Sequence, residues 1–147
     1  MKKHDMKGSR VVVEITESTL MESLEHAQAV LAQFRLLGVR IAIGDFGTGY
    51  SSLSYLTTFQ PHIVKLDKSF VDGIATDCAA RTVVEAVIEF AHKLGILVVA
   101  EGVETESQLE ILRSADCDEI QGYLLERPEP YDAISAFQKQ ELTTQRS

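Results

Sequence analysis

The chain has 147 residues, 45% of them apolar and 24% charged, which suits one globular domain with a single core. A formal charge of −8 disfavours a diffuse grip on nucleic acid or anionic lipid, because both need basic patches. No apolar run approaches the roughly 18 residues of a membrane span, so the expectation is a cytoplasmic protein with no nucleic-acid partner and no membrane association.

The first ten residues, 1–10, are basic and polar with no apolar stretch behind them, and read as a tail rather than a secretory signal. From Val11 onward one pattern repeats: a short β-branched run, a polar or glycine-containing turn, an amphipathic stretch, then another β-branched run. That alternation predicts βα units with parallel strands, at Val11–Thr16, Val39–Asp45, His62–Asp67, Ile96–Glu101 and Asp118–Gly122. Between the first two, Leu24, Ala27, Val30, Leu31, Phe34 and Leu37 recur at helical spacing, and Gly38 sits where a helix terminates. A second helix is predicted over Ala79–Leu94, closed by Gly95, and shorter ones at Ser51–Thr57, Thr105–Ser114 and Tyr131–Lys139, with a polar tail at 139–147. Cys78 and Cys117 fit no metal-spacing or redox motif and read as reduced thiols.

Each predicted strand is apolar along its length and then carries a charged or amide residue near its carboxyl end: Glu14, Asp45, Lys65, Glu101 and Gln121. Period-two alternation pairs Val12 with Glu14, Ile43 with Asp45, Ile63 with Lys65 and Val99 with Glu101, so one face of each strand reads as apolar below and polar at the top. A lone carboxylate at a strand end is ordinarily a solvated terminus. Several in register point instead to the strand ends where α/β folds gather their sites. Acids, a lysine and an amide together suit metal-assisted phosphoryl chemistry, with carboxylates for divalent ions, a lysine for developing charge and a carboxylate base for water. The stretch Gly44-Asp45-Phe46-Gly47-Thr48-Gly49-Tyr50-Ser51-Ser52 reads either as a flexible βα loop or as a phosphate cradle.

Five runs resemble, in order and spacing, the later motifs of the EAL domain family: Glu14-Ile15-Thr16-Glu17-Ser18, Asp45 to Leu53, Val64 to Val71, Val99 to Thr105, and Gln121-Gly122-Tyr123-Leu124. Members of that family hydrolyse cyclic di-GMP to the linear dinucleotide with Mg²⁺ or Mn²⁺, on a (β/α)₈ TIM-type barrel. The resemblance implies that residues 11–138 are the C-terminal portion of such a domain, a partial barrel of about five parallel βα units. It implies metal-ligand roles for Glu14 and Asp45, a lysine contacting water or phosphate at Lys65, and the general base at Glu101. Glu17 corresponds to a glutamate that holds the glycine-containing loop, and Glu104 and Gln121 to further site residues. Asp67 is either a supporting partner in the site or a strand-end cap.

Two departures from the family pattern bear on activity. The Glu-Ala-Leu motif and the following asparagine ligand do not occur in the chain, which is also shorter than the typical 250 or so residues of such a barrel. Where the family's Asp-Asp-Phe-Gly motif has its first aspartate, this chain has Gly44, which offers no donor. The expectation is an EAL-type domain impaired in catalysis as a free chain, with weakened metal binding and weak binding of cyclic di-GMP. Unpaired sheet edges predict a homo-oligomer or a complementing protein segment. Two alternatives stand beside this: an active phosphodiesterase completed by oligomerisation or a partner chain, and an interaction or structural remnant without nucleotide binding.

Overall fold

The computed structural model describes residues 7–48, 53–125 and 127. Five strands, β1 (Val12–Thr16), β2 (Arg40–Phe46), β3 (Ile63–Leu66), β4 (Leu97–Glu101) and β5 (Glu119–Gln121), form one sheet in sequential order. Every neighbouring pair is parallel. Consecutive strands can pair this way only through crossovers, and helices provide them: α1 (Glu17–Glu22), α2 (Leu24–Leu36), α3 (Ser54–Phe59), α4 (Lys68–Asp72), α5 (Cys78–Lys93) and α6 (Glu106–Ser114). Gly38 and Gly95 follow α2 and α5 at φ +70° and +72°, the left-handed geometry that lets the chain turn back into a strand. Asp77 opens α5 by accepting a hydrogen bond from the Ala79 N–H at 2.8 Å, and Thr105 opens α6 in a capping box with Gln108.

All five strands form within one residue of their sequence-predicted bounds. α1 and α4 were not anticipated, and α3 starts later than the helix expected from Ser51. The helix predicted at Tyr131–Lys139, the polar tail and residues 1–6 lie outside the described residues. Gly8–Arg10 form a short 3₁₀ turn whose backbone passes against the Leu37 carbonyl so closely that a Cβ at Gly8 would overlap it.

The sheet has two unlike faces. Ile15, Ile41, Ile43, Val64, Leu66, Val98, Ala100 and Ile120 pack with the helix side chains Leu20, Leu31, Val84, Ile88 and Leu112 in the main core. Ala42, Ile63 and Val99 form a separate small cluster. In register, Glu14 pairs with Ala42 and Lys65 with Val99, so this second face carries the site.

One sequence expectation fails here. Ile43 does not share the face of Ile63 and Val99; it pairs with Ile15 and Val64 in the helix-side core. Beyond it the register between β2 and β3 shifts, so that Phe46, not Asp45, pairs with Leu66. β2 therefore holds an extra residue, a β-bulge. Asp45 takes a left-handed φ of +53° there, which aspartate tolerates better than most residues. The bulge returns Phe46 to the core, where it is 2% exposed, and frees Asp45 from the alternation that would have placed it beside Ile43.

Candidate active site

The carboxyl ends of β1, β3 and β4 bring three charged side chains together. The Lys65 ammonium donates to Glu14 Oε2 at 2.9 Å and lies 2.5 Å from Glu101 Oε1. Its side chain is 17% exposed, against 45% for Glu14 and 22% for Glu101, so the lysine is the innermost of the three. Burial alone would lower the pKa of Lys65, but the bonds to Glu101 and Glu14 outweigh it and hold the ammonium above its ordinary 10.5. Gln121 lies beside this group, since β5 pairs it in register with Glu101.

The remaining predicted residues are placed elsewhere around the same end. Glu17 opens α1 just after β1 and is only 2% exposed; its Oε2 accepts the Gly47 N–H at 3.1 Å, tying the turn after β2 to the first crossover. In that turn the Thr48 N–H and hydroxyl both donate to the Asp45 carbonyl, at 3.2 and 3.0 Å. Gly49 to Ser52 lie outside the described residues, so the choice between loop and phosphate cradle stays with the sequence. Asp67 caps α4, its Oδ1 accepting from the Ser69 N–H at 2.9 Å; hydrogen bonds from the Ser69 side chain and N–H hold its pKa below the ordinary 3.8. Glu104 faces Lys68 of α4 at 2.7 Å, and Asp72 holds the same lysine at 3.0 Å.

Two residues outside the predicted set organise this end. Gln108 is 6% exposed; its Oε1 accepts from the N–H groups of Glu104 and Thr105, and its Nε2 donates to the Val71 carbonyl. That one amide ties the loop after β4 to α4. The Thr105-x-x-Gln108 spacing is its sequence signal. Phe70 packs under Gly47: a Cβ at Gly47 would overlap the ring and come within 2.7 Å of Cζ.

A divalent ion of the kind the family implies needs several oxygen donors, near-octahedral in the case of Mg²⁺. Gly44 contributes none, and both Glu14 and Glu101 are engaged by Lys65. Among the described residues, no group of three or more His, Cys, Asp or Glu side chains is placed to hold a metal. The donor set, as arranged, does not fit a resident metal.

Comparison with known proteins places the chain. Its residues 1–128 match the sequence pattern of the EAL domain. The chain belongs to the EAL family. It is 42% identical over 137 residues to the signaling protein YkoW of Bacillus subtilis, covering 93% of this chain and 17% of that one. The MucR phosphodiesterase of Pseudomonas aeruginosa, solved in complex with cyclic di-GMP, superimposes with a TM-score of 0.82 at 40% identity, over 89% of this chain and 53% of that structure. BlrP1 of Klebsiella pneumoniae, solved with manganese and cyclic di-GMP, gives a TM-score of 0.80 at 38% identity, over 84% of this chain and 31% of that structure. The five-stranded sheet is thus an arc of the EAL barrel, and the chain spans about half of the MucR phosphodiesterase structure.

Cys78 and Cys117 are both free. Burial pushes the Cys117 thiol up to about 11, so it stays protonated and unreactive at neutral pH. Among the described residues, no helix is long and apolar enough to cross a membrane.

Proposed function

We propose that this EAL chain is impaired as a cyclic-di-GMP phosphodiesterase, binding Mg²⁺ or Mn²⁺ poorly and cyclic di-GMP weakly. The observation that carries this is the state of the strand-end acids: Gly44 replaces a donor, and Lys65 engages both Glu14 and Glu101. Without a cation to neutralise phosphate charge, a cluster of two carboxylates and one ammonium repels a phosphodiester rather than gripping it. In this reading Glu101 is the vestigial base and Lys65 the group facing water or phosphate. Glu14 and Asp45 are the remaining metal donors, with Glu17, Asp67, Glu104 and Gln121 supporting the strand ends. Free thiols suit a reducing cytoplasm.

The test is incubation with cyclic di-GMP and Mg²⁺ or Mn²⁺, with the linear dinucleotide sought by chromatography. No turnover is expected, and calorimetric titration should show weak nucleotide binding. Turnover that Glu101→Ala abolishes would overturn the reading.

A second reading draws support from the open sheet. Among the described residues, β1 and β5 are each paired on one side only, and unpaired parallel edges invite another chain. A second copy, or a complementing segment, would then complete an active phosphodiesterase. Sedimentation of a compact monomer at micromolar concentration counts against it.

A further inference from the structure

The impaired reading leaves open why the two surviving strand-end glutamates lie where they do, and the following inference rests on that reading. β1 and β3 are not neighbours; β2 runs between them, so their backbones are about 9.5 Å apart. For Glu14 on β1 to reach Lys65 on β3 at 2.9 Å, its side chain has to cross the face of β2. It crosses at Gly44. That residue lies two positions beyond Ala42, the register partner of Glu14, on the same face. A Cβ there would overlap Glu14 Oε1 and lie 3.1 Å from its Cδ and 3.2 Å from its Cγ. Any residue larger than glycine at this position therefore forces the Glu14 carboxylate to shift.

We propose that the Lys65 ammonium is the resident cation of this site, that Gly44 makes it so by clearing the way for Glu14, and that the lysine excludes a divalent ion. Glycine at 44 thus removes a donor and also closes a salt bridge across β2. Glu14 and Glu101 each hold an oxygen within hydrogen-bond reach of the one nitrogen, at 2.9 and 2.5 Å, so the ammonium occupies the point on which both carboxylates converge. A divalent ion placed there would face the ammonium at close range.

Mn²⁺ titration of the full chain, followed by the loss of the free-ion paramagnetic resonance signal, tests this. The wild-type chain should show no saturable site below millimolar Mn²⁺. Lys65→Met should bind Mn²⁺ at least about tenfold more tightly, because it removes a positive charge and leaves two converging carboxylates. Adding Glu14→Gln should abolish the gain. Should Lys65→Met fail to fold, Gly44→Ala probes the same geometry without adding a donor: its Cβ drives Glu14 off the lysine, and Mn²⁺ affinity should rise measurably over wild type. If a folded Lys65→Met chain binds no better than a metal-free wild type, or Gly44→Ala leaves the affinity unchanged, the resident-cation proposal falls while the donor-poor reading stands. A saturable micromolar site in the wild type overturns both.

Discussion

Gly47 and Gly38 both sit at positive φ, yet replacing each by alanine should have very different consequences. At Gly38, φ +70°, a Cβ would meet nothing within 4 Å. Gly38→Ala thus isolates the backbone penalty of a left-handed residue, about 1–2 kcal/mol. Gly47 lies at φ +108°, outside the left-handed well, where strain is on the order of 1–3 kcal/mol. Its Cβ would also overlap the Phe70 ring, which is packed against the main core and cannot swing into solvent without uncovering it. Forcing extra volume into such a site costs about 1–3 kcal/mol more. Gly47→Ala should therefore cost about 2–6 kcal/mol in all. At roughly 2–4 °C per kcal/mol for a chain of this size, that separates the two variants by several degrees in melting temperature. Urea unfolding followed by circular dichroism, with unchanged m-values, measures both. Placing Gly47→Ala in a Phe70→Ala background should recover at least about 1 kcal/mol, since the overlap then disappears. Equal costs for the two glycines, or strict additivity with Phe70→Ala, would refute the close packing of the turn on the ring.

Further outcomes follow from the polar groups. Gln108→Ala should cost about 2–4 kcal/mol by urea unfolding, since it leaves the N–H groups of Glu104 and Thr105 and the Val71 carbonyl without that partner. Asp67→Ala removes the α4 cap and should cost about 1 kcal/mol in the same assay. Asp118 is held below its ordinary 3.8: burial opposes its charge, but the Val98 N–H and His92 together prevail. A depressed carboxyl stabilises the fold above its unfolded value and loses that contribution as pH falls through the folded one, so the urea midpoint should drop below about pH 4 and less so in Asp118→Asn. His62 is lowered from 6.5, by burial first and then by Arg35 and Arg40, and its Nδ1 accepts the Ile41 N–H at 3.0 Å. Its neutral form is the one the fold prefers, so stability is full above pH 6.5 and should decline as pH falls below it, a slope that His62→Gln should flatten.

The strands were legible because β-branched runs ending in turn residues leave little choice of period or length, and α2 and α5 because a long apolar stripe closed by glycine is hard to mistake. α4 was missed for the opposite reason: five residues make little more than one turn, too short for periodicity to register. Its signal was the cap, Asp67 two residues before Ser69. The bulge also left a trace. Ile41 and Ile43 fall on odd positions and Phe46 on an even one, and this change of parity inside one apolar run marks an inserted residue. Reading strict alternation through Asp45 overlooked it. Gathering Glu14, Lys65 and Glu101 needed only strand-end counting, whereas the salt bridge crossing β2 depends on a side-chain path that spacing does not encode.

On the proposed reading, the two faces of the sheet explain how a chain can keep the marks of its family and still depart from it in chemistry. The helix-side face carries Ile15, Ile41, Ile43, Val64, Leu66, Val98 and Ala100, and with them most of the buried apolar surface that drives folding. Among the described residues, the other face holds a small cluster of Ala42, Ile63 and Val99 below the polar strand ends. Glycine at 44 falls on that second face, where the three atoms nearest a Cβ would all belong to the movable Glu14 side chain. It therefore leaves strand pairing and helix packing intact while altering which charges meet at the strand ends. Resemblance across the five motifs spans both faces, since those runs carry Glu14, Lys65, Glu101 and Gln121 at the strand ends as well as core residues such as Ile15, Val64 and Ala100. What the site can hold is decided on the opposite face by the carboxylates and the lysine, and it is there that the proposed reading places the effect of Gly44.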